Sequence, residues 1–183
     1  MTAPEPLRGH LVQLRARVDA HFEAAVARSP SSFRCAEGCD ACCHQRFSVF
    51  EVEAAPVREA LARLAVDDPA LRQRVADQGA DGGLEHCALL VDGRCAVYEQ
   101  RPMICRSHGL PVAVPDPNPG PEDPPGTLVV DHCPLNFTDA PPPRDSVLIL
   151  DAVNRPLSVL AELWSSGAQR VGLAALARAT PEK

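Results

Sequence analysis

Four cysteines fall within nine residues, Cys35, Cys39, Cys42 and Cys43, in the run Cys-Ala-Glu-Gly-Cys-Asp-Ala-Cys-Cys, and four more follow at Cys87, Cys95, Cys105 and Cys133. Eight thiols in 183 residues constrain the chain more than any other feature. Thiolate sulfur is a preferred ligand of zinc and of iron–sulfur clusters. The competing explanations are disulfides and ordinary buried cysteines. Met1-Thr-Ala-Pro-Glu-Pro shows no basic segment followed by an apolar run, so no secretory signal is expected there. No stretch approaches the roughly 18 apolar residues of a membrane span. Both observations predict a cytoplasmic protein, and in a reducing cytosol clustered cysteines bind metal or do redox chemistry rather than form structural disulfides. Adjacent Cys42 and Cys43 also make an awkward disulfide, because neighbouring side chains diverge. Four thiols set among Glu, Asp and Gly do not read as a packed core.

The spacing limits how the first four can act. At i, i+4, i+7 and i+8 they would share an arc of about 100° on a helix, yet Cys35 and Cys43 would stand about 12 Å apart along its axis. Sulfurs on one tetrahedral zinc lie roughly 4 Å apart, given Zn–S near 2.3 Å. Either Gly38 breaks the segment into a loop, or the four serve a multinuclear centre or two sites. Arg34, Arg46, Arg94, Arg101 and Arg106 flank the cysteines and are candidates to balance thiolate charge. His44, His86, His108 and His132 also lie nearby, with His108, three residues after Cys105, at the most natural ligand spacing.

The rest of the chain supplies scaffold. Apolar residues make up 45% and aromatics only 4%, mainly Ala, Val and Leu, which predicts one mainly α domain with short β-hairpin elements, small and organised by metal. A net charge of −6 without a basic block argues against nucleic-acid binding but leaves a protein partner open. Leu7, Leu11, Leu14, Val18 and Phe22 predict a helix over 5–28. Residues 46–50 alternate as a short strand. A helix is expected from Glu51 to Ala65, regular mostly after Pro56. Asp68-Pro69 reads as an N-cap and first helical position of a helix that Gly79 and the Gly82-Gly83 pair end. Asp92-Gly93 predicts a tight turn between strands at 87–91 and 94–98. Arg101-Pro102 opens a helical turn carrying Cys105. Seven prolines in 111–125 predict an irregular loop. A strand is expected at 127–131 and helices from about Asp145 to Ala179. The expected organisation is an N-terminal helix (1–32), a metal-binding domain (33–137) and a C-terminal helical extension packed on it (138–183).

The first block, Cys35-x3-Cys39-x2-Cys42-Cys43, resembles the cysteine-cluster family that carries a zinc- or iron-chelating domain, also called Fe–S-cluster-containing proteins. The second block, from Cys87 through Asp92-Gly93-Arg94-Cys95-Ala-Val-Tyr98 to Arg101-Pro102-Met-Ile-Cys105-Arg106, is similar to that family's second motif, and Cys133 to its final cysteine. The resemblance covers roughly 33–137. It implies that Cys35, Cys39, Cys42, Cys43, Cys87, Cys95, Cys105 and Cys133 bind metal, as an iron–sulfur cluster or a zinc or iron ion. It implies less about chemistry. A flagellin lysine-methylating protein carries a similar block, but no S-adenosylmethionine fingerprint is present here and no Gly-rich phosphate loop or nucleophile elbow stands in this chain. The Cys39–Cys42 pair is a lone C-x-x-C without a thioredoxin-like βαβ setting. Three readings follow: a metal-binding protein, an iron-dependent oxidoreductase or protein-modifying enzyme, and a zinc-stabilised interaction module or metal carrier.

Overall fold

The computed structural model describes residues 5–82 and 84–179. The residues at the extreme N-terminus on which the leader reading falls, Met1 to Pro4, and Gly83 of the glycine pair lie outside them. The described chain is mainly α, with six α-helices and short strand pairs. Helix α1 spans Glu5–Arg28, as its apolar stripe predicts. Leu11, Leu14 and Val18 are buried against Val153, Leu157 and Leu160 of α5 (Asp151–Trp164).

Helix α2 (Glu51–Asp67) runs straight through Pro56, where a mostly later start was expected. Proline in a helix forfeits one i→i−4 bond. Here that loss is offset by burial, since Val52, Ala54 and Val57 are completely covered and Leu61 nearly so. Helix α3 (Pro69–Ala80) starts as read: Asp68 Oδ1 accepts from Leu71 N at 2.9 Å. It does not stop at Gly79. A Cβ there would lie 2.7 Å from the Ala174 carbonyl and from Arg178 N, so this glycine permits close approach of α6 (Leu173–Arg178) rather than ending a helix.

The hairpin forms where Asp92-Gly93 predicts it. Strands β2 (Leu90–Val91) and β3 (Arg94–Cys95) pair antiparallel. Both turn residues have positive φ, 52° and 73°, the primed turn that matches strand twist. Helix α4 (Met103–Ser107) follows Pro102. The proline-rich segment is not wholly irregular. Val112–Pro115 forms β4, the centre of a three-stranded sheet, antiparallel to β5 (Leu128–Asp131) and parallel to β6 (Leu148–Ile149). Its prolines sit at the strand's boundaries, where a missing N–H costs no ladder bond. Strand β7 (Arg170–Gly172) pairs with β1 (Ser48–Phe50). Val171, read as part of a helical run, is therefore a strand residue.

The largest core gathers Val57, Leu61 and Val75 with Leu89, Val91 and Val97 of the hairpin and Leu173 and Leu176 of α6. Cys87 and Cys95 pack on its edge. A smaller cluster joins Ala25, Phe33, Leu110 and Phe137, with Phe22 and Cys35 against it. No helix among the described residues is long and apolar enough to cross a membrane.

Candidate metal centre

The first cysteine block is not a helix. Gly38 takes φ +88°, a value that suits a residue without Cβ. Cys39 N turns back to the Ala36 carbonyl at 3.0 Å. A single 3₁₀ turn, Ala41–Cys43, then carries the last two cysteines. The broken backbone means that the regular rise of a straight helix does not set the spacing of these four cysteines. All eight cysteines are free thiols; Cys39 is exposed and the other seven are half-buried.

One short bond joins the two blocks: Cys87 N donates to the Cys43 carbonyl at 2.7 Å. An exposed ion pair, Arg94 to Glu37 at 2.8 Å, spans the same gap. Around this junction the thiols fall into two neighbourhoods. In one, Cys105 is pushed up to about 12 by burial first, then by the charges of Cys87, Cys95 and Cys42. Cys87 is pushed up to about 11 by burial, with Cys95 and Cys42 adding. Burial also raises Cys95, against which the Arg101 guanidinium works. In the other, burial raises Cys35, its bond from Asn136 lowers it, and Cys39, Cys133 and Cys42 raise it further. Cys42 acts on both neighbourhoods. Its own thiol is raised by its contact with Cys43, then by burial.

Among the described residues, no three His, Cys, Asp or Glu side chains stand together as a ready-made group able to hold a metal ion. The structure therefore brings the thiols near one another without placing them at ligating positions. The donor chemistry fits zinc or iron, since both take thiolates. Raised thiols are protonated at neutral pH, so ligation releases protons.

The histidines are engaged elsewhere. His108 Nδ1 bonds the Ile104 carbonyl at 2.5 Å and its Nε2 meets Gln45 Nε2 at 3.3 Å. Both ring nitrogens are thus used by protein groups, and the ring lies against Phe47. His86 bonds Gln78, His44 pairs with Asp40 at 3.5 Å, and His132 Nδ1 meets the Cys133 carbonyl. Most flanking arginines brace the backbone. Arg46 reaches the Gly82 and Leu84 carbonyls. Arg106 binds Asp19 and the Arg101 carbonyl. Arg101 stacks over Tyr98 at 4.1 Å, and its charge works weakly against the burial that raises Cys95.

Two residues escaped the sequence reading. Glu53, 3% exposed, accepts from Met103 N at 2.7 Å and so anchors the start of α4 beneath Cys105. It stands four residues before Val57 on the buried face of α2, a spacing that signals burial without announcing a role. Asn136 is fully buried and bonds Cys35; nothing in the sequence marks it except its place three residues after Cys133.

Residues 34–116 match the family model of the CxxCxxCC domain, described as a putative zinc- or iron-chelating domain. The segment is similar to that family, and the match spans less than half of the chain. The match includes seven of the eight cysteines and leaves Cys133 outside. No curated protein and no solved structure gives a significant match to the chain. The second block through Arg101-Pro102 and Cys105 lies within the matched residues.

Proposed function

We propose that this protein binds metal through Cys35, Cys39, Cys42, Cys43, Cys87, Cys95, Cys105 and Cys133, as an iron–sulfur centre in a reducing cytoplasm. The observation that carries the reading is the junction of the two cysteine blocks, where Cys87 N donates to the Cys43 carbonyl at 2.7 Å. Cys42, next to Cys43 at that junction, is the thiol near enough to act on Cys35 on one side and on Cys87 and Cys105 on the other. One mononuclear zinc site uses four protein ligands. Eight thiols linked through a shared member supply more sulfur than that and suit a multinuclear centre. Cysteine side chains move between staggered rotamers, which is how thiols in loose neighbourhoods become a ligand set. Residues 33–137 form the metal-binding domain in this reading, with the N-terminal helix (1–32) and the C-terminal extension (138–183) as its support.

The bound group would supply thiolate-ligated iron. The chain's own part is to converge the thiols, to bury the Cys87–Cys95–Cys105 side against the core and to place Arg101 where it offsets negative charge. Anaerobic purification with iron, zinc and acid-labile sulfide analysis tests the reading. Iron and sulfide in comparable amounts support it; a colourless protein with stoichiometric zinc and no sulfide overturns the iron–sulfur assignment and leaves the chelating one.

A further inference from the structure

We propose that Asn136 and Gly109 are a positioning clamp for Cys35, with the Asn136 side-chain amide donating a hydrogen bond to the Cys35 sulfur when it binds metal as a thiolate. The inference rests on the metal-centre reading and names residues outside the cysteine pattern that prepare it.

The orientation of Asn136 follows from its neighbours. The Arg34 backbone N–H can only donate, and it reaches Asn136 Oδ1 at 2.7 Å. The Gly109 carbonyl can only accept, and it lies 2.8 Å from Asn136 Nδ2. Both partners fix the same way round for the amide. The second N–H of Nδ2 then falls on Cys35 Sγ at 3.3 Å. Asn136 is 1% exposed, so water does not compete for that proton. An aspartate in its place would keep the acceptor for Arg34 N and turn an oxygen toward both the Gly109 carbonyl and the sulfur.

Gly109 completes the cradle. It holds φ +91°, and a Cβ built on it would lie 2.5 Å from Cys35 Sγ and 3.5 Å from Asn136 Nδ2. Only glycine leaves the sulfur where the amide can reach it. The clamp is held from behind by Asn136 N donating to the Cys133 carbonyl at 2.9 Å and Phe137 N donating to the Ser32 carbonyl at 2.9 Å. Through its side chain and its backbone N–H, Asn136 therefore ties the first cysteine, Gly109 just after the second block, and the last cysteine. A purely structural tie would need only the bonds to Arg34 and Gly109. The bond to sulfur adds a donor that strengthens as the sulfur becomes anionic, and donors of that kind tune thiolate-bound metal.

The test is a double-mutant cycle on zinc affinity, measured by chelator competition in the full chain. Asn136→Asp is expected to weaken zinc binding by roughly 10–100-fold, and to have little effect in a Cys35→Ala background. An equal loss in both backgrounds overturns the clamp and leaves Asn136 a structural residue. Should Asn136→Asp fail to fold, the wild-type protein loaded with cadmium-113 gives a second readout by NMR. Coupling of the metal to both the Cys35 β-protons and the Asn136 side-chain amide proton supports the clamp. Coupling to Cys35 without the amide overturns the clamp and keeps the metal centre. Coupling to neither overturns the metal-centre reading at Cys35 and the clamp with it.

Discussion

Cys87 and Cys95, at the hairpin, pack on the largest apolar core, and Cys105 sits on a short helix, whereas Cys35, Cys39 and Cys133 sit on loops, with Cys35 against a small aromatic cluster. Phe33 lies 5.6 Å from Phe22 and 5.0 Å from Phe137, and that small cluster is the main apolar support of the first side. The second side inherits its shape from hydrogen-bonded elements that would form without sulfur. The first depends on Gly38, on the Asn136 amide and on the rings. On the proposed reading, bound metal would have different work on the two sides, filling a framework on one and completing it on the other.

The largest expected effect comes from Cys42→Ser, which removes the thiol common to both sides. Bound metal per chain should fall by at least half, while Cys39→Ser, at the exposed position, retains more; elemental analysis of matched preparations checks the ranking. Equal loss from the two variants would break the comparison. Removing metal by chelation comes next. Hydrogen exchange should rise by about tenfold or more over 33–45 and 131–137 and much less over 88–97, with helical circular dichroism preserved, because opening follows local burial and contact. Melting of the entire chain on chelation would show that the apolar cores depend on metal throughout.

The metal-free protein should also lose stability as pH rises. Cys87 and Cys105 stand at about 11 and about 12 in the folded chain, above the ordinary thiol value of 9.0. Below about pH 9 both states keep these protons, and stability is undiminished. Above it the unfolded chain sheds protons that the folded chain retains, so unfolding is favoured increasingly up to about pH 12. Urea midpoints measured across that window should fall, and the Cys87→Ala, Cys105→Ala double variant should flatten the fall. Metal affinity should move the opposite way, rising with pH because ligation releases the same protons.

The smallest effect concerns the bridge between the blocks. Arg94→Ala removes the exposed pair with Glu37 and should cost about 0.5 kcal/mol or less in urea unfolding. A much larger cost would mean that this pair, rather than the Cys87–Cys43 backbone bond, holds the two sides in register.

The helices were legible because their signals are local. The stripe from Leu7 to Phe22 and the Asp68-Pro69 cap each act within one element, and the Asp92-Gly93 turn needs only its own dihedrals. Pro56 and Gly79 misled for one reason: each was read by its local penalty, and each is tolerated because a distant partner rewards the exception. Burial covers Val52 and Val57 around the proline, and α6 needs the space at the glycine. Strands β4 and β7 were hidden because pairing with remote residues, not composition, makes them strands. At the site, cysteine spacing pointed to the thiols as candidate metal ligands. It could not show Asn136, whose importance lies in three partners at positions 34, 35 and 109, far from it in the chain.

X-ray absorption at the metal edge of natively purified protein tests the central claim most directly, because it counts the atoms around the metal. The account predicts an iron edge with a shell made of sulfur, and iron–iron scattering that Cys42→Ser reduces or abolishes. A shell dominated by nitrogen or oxygen, or a sulfur shell unchanged by Cys42→Ser, would contradict it.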